Sequence, residues 1–339
     1  MRPIANATSS VRSVSATPRM SYSRKMCGFI VMVLFLSRLA ARAIIALSGV
    51  TMFVDRYFDP TVPMGPLFLL ACWLEHRALK KQKREGRAVL GYERRDTIAS
   101  LAMGAVSILT VGLIVHGQFL LARALWNARL TDLGEGVLGW VVAMLAWDFI
   151  YYWVHRVEHE RRLFWAAHVN HHSSERYNLS TALRQPWTPF LTLVMVPPIA
   201  LLGVRPGLIV TAGGFNLIYQ FWIHTEVVDR MPRWFEWVFN TPSHHRVHHG
   251  SNGRYLDCNY GGILILWDRL FRTFVPEEEP VVYGLVKNIQ SYNLFVIAFH
   301  EYRAIARDLR AARTWSERWH RLFSGPDWVP PNLSSPERV

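Results

Sequence analysis

GVLGWVVAMLAWDFIYYWVHRVEHE, residues 136–160, decides the fold. Through residue 154 this run holds one charge, Asp148, and it approaches the roughly 20 apolar residues that a bilayer crossing needs. It then ends in His155 and His159, which lie four apart and so share one helical face. The stretch predicts a membrane helix that delivers two imidazoles to the membrane surface.

Those two histidines have company. Of the 14 histidines in the chain, ten fall between residues 155 and 249. His168, His171 and His172 form HxxHH, His245, His248 and His249 form a second HxxHH, and His224 and His244 complete the ten. Each HxxHH turns its imidazoles to one side of a helix, as the first HxxxH does. Neutral imidazole is a common ligand of iron, zinc and copper. The motifs supply eight nitrogens, too many for one ion, so two metals sharing a histidine cage is the economical reading. Structural zinc sites favour thiolates or mixed Cys/His sets, yet Cys27, Cys72 and Cys258 form no CxxC. The Glu and ExxH ligands of carboxylate-rich bundles are also absent. An all-histidine pair of iron ions is the expected centre. Zinc is the alternative, because it accepts the same ligands.

The chain of 339 residues is 51% hydrophobic, contains 14 Trp and has a net charge of +13. Further apolar runs occupy residues 97–122, 187–204 and 206–223, with a shorter one at 62–74. The fold expected is an all-α, multi-pass integral membrane protein with four to six transmembrane helices and a cytosolic helical cap holding the histidines. Residues 75–96 contain Arg77, Lys80, Lys81, Lys83, Arg84, Arg87, Arg94 and Arg95. Positive charge marks the cytosolic side. Residues 97–122 then leave the cytosol, 136–154 return to it, and 187–223 form a hairpin turning at 203–207, where Pro206 and Gly207 suit a turn. All ten histidines land on the cytosolic side. Nucleic acid is excluded as a partner, since the charge lies between membrane runs and no nucleic-acid motif accompanies it. The chain divides into a disordered or targeting tail (1–26), an N-terminal membrane segment (27–61), the main membrane domain (62–330) and a short tail (331–339).

Four longer stretches carry a resemblance: DFIYYWVHR (148–156), HHSSERYNLSTALRQ (171–185), YQFWIHTE (219–226) and TPSHHRVHHG (241–250). Over residues 66–330 the chain resembles the fatty acid hydroxylase superfamily, also called the sterol desaturase family, and looks most like its alkylglycerol monooxygenase branch. The resemblance implies a membrane-embedded di-iron oxygenase that uses O2 and two electrons on a lipid in the bilayer. The electrons would come from an external donor: tetrahydrobiopterin or another reduced pterin, or a reductase, ferredoxin or cytochrome. By position, the family's ligands correspond to His155, His159, His168, His171, His172, His245, His248 and His249, with His224 as a ninth. Glu160 matches an acidic position of the branch. The chain departs from the family at Arg272, where glycine is usual, and it ends soon after Trp328.

Carboxylates are expected to accept from the outer N–H groups of the ligand imidazoles. Asp148, Glu158, Glu160, Glu175 and Glu226 are the nearest in sequence. Asp148 stands out because a carboxylate in a membrane helix is costly, and it shares a helical face with Tyr152, His155 and His159. It either orients a histidine or pairs with a basic residue. His244 is an extra ligand or an outer partner. Tyr177, Asn178 and Arg184 either line the substrate mouth or cap and pack a cytosolic helix, and no catalytic group beyond the metals is expected. The leading reading is a lipid hydroxylase or an enzyme that cleaves lipids oxidatively. A sterol or fatty acyl desaturase could use the same site, and the non-enzymatic alternative is a zinc-binding membrane scaffold or transporter.

Overall fold

The computed structural model describes residues 55–329, so the expected tails and the apolar segment before residue 55 lie outside the described residues. Twelve α-helices follow one another: α1 (Thr61–Arg84), α2 (Arg94–Trp126), α3 (Val137–Glu160), α4 (Arg162–His172), α5 (Leu179–Ala182), α6 (Phe190–Met195), α7 (Pro206–Ile223), α8 (Arg233–Val238), α9 (Pro242–His248), α10 (Leu266–Phe271), α11 (Leu294–Ala311) and α12 (Trp315–Phe323). A 3-10 segment, Pro197–Leu202, joins α6 to α7. Among the described residues there is no strand, only isolated bridges such as Phe239 with Leu264.

Two helices, α2 and α3, are long and apolar enough to cross a membrane. Glu93 starts α2 by accepting from the Asp96 N–H at 2.8 Å. Its 33 residues then run about 50 Å, well past a hydrocarbon core of about 30 Å. Only 22% of its apolar window is buried, and Ile108, Leu109 and Leu113 point outward. Such a surface is stable in lipid and would aggregate in water. In α3, Leu138, Val141 and Leu145 are exposed near the start, whereas Asp148, Tyr152, His155, Glu158 and His159 are buried towards the end. One helix therefore passes from a lipid-facing half into a packed cap.

The expected hairpin over 187–223 differs from two regular crossings. Pro186, Pro189, Pro197 and Pro198 remove backbone donors, so the first arm breaks into α6 and the 3-10 segment. The chain does turn at Gly203, whose φ of 93° is left-handed and whose Cβ, if present, would meet Thr131 O at 2.5 Å. Pro206 then opens α7 at its first turn, where a missing N–H costs nothing. Most of α7 is buried against α2 and α3. Its Leu208, Ile209 and Ala212 share a core with Ala143, Trp147 and Ile199.

Arg272 ends α10 with φ 61°, a left-handed conformation that costs a non-glycine residue about 1 kcal/mol.

Candidate metal centre

Four helices bring the histidines together. The last turns of α3 supply His155 and His159, α4 supplies His168, His171 and His172, α7 ends at His224, and α9 supplies His245, His248 and, at its cap, His249. They fall into two groups. His155, His159, His168, His172 and His248 have ligand atoms within 4.8 Å of one another, and so do His171, His224, His245 and His249. All nine are between 1% and 8% exposed, so water cannot satisfy them.

Hydrogen bonds to backbone carbonyls fix several tautomers. Nδ1 of His155 donates to Tyr260 O at 2.8 Å, that of His248 to Cys258 O at 2.9 Å, that of His171 to Arg184 O at 3.3 Å and that of His224 to Gln220 O at 2.7 Å. The opposite nitrogens are then bare lone pairs. Yet His171 and His224 bring their Nε2 atoms to 3.1 Å, and His224 and His245 to 3.0 Å. In the other group, His168 Nε2 lies 3.1 Å from Nε2 of both His155 and His172. In the His171–His224 pair both Nε2 atoms are lone pairs, which repel at this distance unless a cation lies between them. The Nε2 atoms of His159, His248 and His249 are also buried without a partner. The donor set fits two metal ions.

Burial, then neighbouring imidazoles, holds His168, His171, His172, His245, His248 and His249 well below the usual histidine range. Burial lowers His224 to about 4. All seven are thereby kept neutral near pH 7, the form that binds metal.

His244 joins neither group. Its ring meets Phe274 edge-on at 5.2 Å and lines a cleft of about 190 Å³ with Arg230, Arg233, Trp237 and Arg269. Its ring belongs to neither group of histidine ligand atoms.

The expected carboxylates separate sharply. Asp148 reaches neither a histidine nor a basic residue. It accepts from Ile263 N (2.7 Å), Leu264 N (3.1 Å), Trp267 Nε1 (2.9 Å) and Asn216 Nδ2 (2.7 Å). It fastens the turn after Tyr260 to α3, and Gly262 is required there because a Cβ would approach Asp148 Oδ1 to 2.9 Å. Glu160 pairs with Arg156 at 2.8 Å, Glu226 accepts from the Leu90 and Gly91 N–H groups, and Glu175 is exposed. None of these three faces an imidazole. Glu158 does: its Oε2 lies 3.6 Å from His168 Nδ1.

Tyr177, Asn178 and Arg184 are buried, and each holds structural contacts. Asn178 caps α5, and Arg184 pairs with Asp96 at 2.5 Å while donating to Ser100 and Ser173. Tyr177 donates to Ile223 O at 3.0 Å and stacks on Tyr283, with its ring 5.7 Å from His224.

Sequence reasoning missed the partner of Asp257 and two further supports. Asp257, in a left-handed turn, comes within 3.7 Å of His159 Nδ1. Arg246, between two site histidines, grips Glu277 and the Val228 carbonyl. Buried Glu75 accepts from Tyr92, Thr225 and Leu179 N, tying α1 to the residue after His224. The signal for Glu75 was an acid at the end of an apolar run, where a basic stretch begins.

Residues 140–273 match the fatty acid hydroxylase family. The chain is 43% identical over 220 residues to an alkylglycerol monooxygenase of Xenopus tropicalis, across 63% of this chain and 49% of the relative. It is 40% identical over 249 residues to the human alkylglycerol monooxygenase, across 72% and 56%. An ornithine lipid hydroxylase of Rhizobium tropici is 28% identical over 209 residues, across 61% and 58%. The chain spans about half the length of the alkylglycerol monooxygenases it matches. No solved structure matches it.

Proposed function

The chain carries a fatty acid hydroxylase domain, and from that premise we propose that it is a membrane-bound oxygenase holding two iron ions and inserting oxygen into a lipid. One ion is assigned to His155, His159, His168, His172 and His248, the other to His171, His224, His245 and His249. The observation that carries this reading is the close approach of buried Nε2 atoms in both groups, with both members of the His171–His224 pair bare. When bound, the iron pair supplies a redox centre able to use O2 and two external electrons to oxidise an unactivated C–H bond.

The chain's own residues do the rest. The carbonyls of Tyr260, Cys258, Arg184 and Gln220 hold protons on the outer nitrogens and so aim the inner ones. The packed cap excludes water from the centre. The lipid-facing halves of α2 and α3 keep the site at the bilayer in which the substrate is dissolved, with the cluster on the cytosolic side by the positive-inside rule. An ether lipid of the alkylglycerol type is the first substrate to test, and hydroxylation of its alkyl chain next to the ether oxygen leads to cleavage. The electron donor is a reduced pterin or an electron-transfer protein.

The deciding experiment compares lipids of cells with and without the gene under O2. Gain of one oxygen atom, or loss of an alkyl group from ether lipids, supports the reading. Loss of two hydrogens instead assigns a desaturase, and zinc-loaded protein with no lipid change ends the oxygenase assignment.

A further inference from the structure

Helix α12 is amphipathic in the reverse of the sense expected in water. Trp315, Trp319, Leu322 and Phe323 follow the spacing of a single apolar stripe. That stripe is turned outward: Trp315 is 81% exposed and Trp319 63%. The Glu317 and Arg321 charges are turned inward. Arg321 donates to Glu317 at 2.6 Å and reaches Asp308 of α11 at 3.8 Å, and Asp308 also pairs with Arg162 of α4 at 2.8 Å. These four side chains are only 11% to 21% exposed. A helix that turns one ion pair inward and its tryptophans outward, with Arg318 laid over the Trp315 ring at 4.9 Å, suits an apolar medium bordered by water.

We propose that α12 lies in the membrane interface, with Trp315 and Trp319 at the boundary between headgroups and acyl chains. The proposal rests on the chain being embedded through α2 and α3. Position selects the bilayer as the occupant. The Arg162 N–H donates to Ser324 O at 3.0 Å, and Arg161 Nη1 donates to Phe323 O at 2.9 Å. The end of α12 is thus fastened to the corner where α3 stops, and by that residue a 24-residue helix has used up the roughly 30 Å hydrocarbon core. Residue type agrees: an indole offers an apolar body and one N–H, and tryptophan concentrates at this depth. Charge agrees as well. Exposed Arg310 and Arg313 flank the start of α12, suited to anionic headgroups.

The test uses the full chain in nanodiscs of phosphatidylcholine and phosphatidylglycerol, one protein per disc, with Cys27 replaced by serine. Ser316→Cys, beside the two tryptophans, carries an environment-sensitive fluorophore; Leu109→Cys on the lipid-facing surface of α2 is the reference. Bound metal confirms that each variant is folded. The Ser316 label should be blue-shifted and quenched most by nitroxides near the headgroups, and the Leu109 label by nitroxides deep in the chains. Trp315→Ser with Trp319→Ser should return the Ser316 label towards its emission in water and leave the reference unchanged. A Ser316 label that no nitroxide reaches, beside a quenched reference, overturns the proposal and points to cover by residues outside those described. Failure of both labels removes the membrane reading itself, and the proposal with it.

Discussion

In the group of His155, His159, His168, His172 and His248, two outer nitrogens face carboxylates: Glu158 lies 3.6 Å from His168 and Asp257 lies 3.7 Å from His159. In the group of His171, His224, His245 and His249, the outer contacts are the carbonyls of Arg184 and Gln220, and the Nδ1 of His245 has no partner. Aromatic rings flank both groups: Trp165 is centred 5.0 Å from His159 in the first, and Tyr177 is 5.2 Å from His249 and 5.7 Å from His224 in the second. A carboxylate behind an imidazole makes it a stronger donor to metal. The first group can therefore offset more cationic charge, and the second leaves its ion more electron-poor. Two ions held by one cage are expected to be inequivalent.

Removing an imidazole is the harshest way to break that contrast. His168→Ala deletes a ring whose Nε2 lies 3.1 Å from two others in the first group, and His224→Ala deletes the ring that links His171 to His245 in the second. Each is expected to reduce bound metal from about two ions per chain to about one or fewer and to abolish turnover. Metal analysis of folded protein checks both. If His224→Ala strips the first group as completely as the second, the two groups act as one cluster.

Asp148→Asn comes next. Its carboxylate accepts from four donors around the turn after Tyr260, and Tyr260 O in turn positions His155. An amide leaves at least one buried donor unpaired, a cost of about 1–3 kcal/mol. Lower folded yield and an earlier melting transition are expected, with near-normal metal per folded molecule. Loss of metal from well-folded protein would make Asp148 a member of the centre.

The contrast also marks how far the sequence could be read. The histidines were legible because HxxxH and HxxHH are local: helix geometry alone puts such residues on one face. The α2 and α3 spans were legible from uninterrupted apolar length. Asp148 was not, although its spacing from His155 was known. A spacing of seven places two residues on the same face but about 10 Å apart, and the nearer partner was a turn more than 100 residues later in the chain. The partners of Arg184 and Asn178 were hidden for the same reason, since Asp96 and Gly91 sit on a distant segment, although Asn178 does cap a helix as one of its two readings had it. The hairpin over 187–223 was read by apolar content, while its prolines governed the backbone.

Glu158→Gln sharpens the comparison without breaking the fold. Replacing the carboxyl beside His168 with an amide should weaken metal at the first group by roughly 10–100-fold, as the loss of an outer partner does. The second group has no such carboxylate and should keep its ion. Titration of metal-free protein should then resolve one weakened and one unchanged site. Equal weakening of both would erase the inequivalence.

Glu160→Gln should do least, and for that reason it tests the boundary of the centre. Glu160 adjoins His159 in sequence, yet its carboxylate turns back along α3 to Arg156 at 2.8 Å, in an i,i+4 pair that is 25% and 35% exposed. Pairs of this kind contribute about 0.3–0.5 kcal/mol, and Arg156 keeps a second acceptor in the Tyr152 hydroxyl at 3.2 Å. The melting temperature should drop by only a degree or two, estimated from about 0.4 kcal/mol in a chain of this size. Both ions should stay bound, and turnover should remain near that of the parent. A Glu160→Gln protein that loses the ion of the first group would mean that this carboxylate turns towards His159 once metal is present, and Glu158 and Asp257 would no longer be the partners that set the two groups apart.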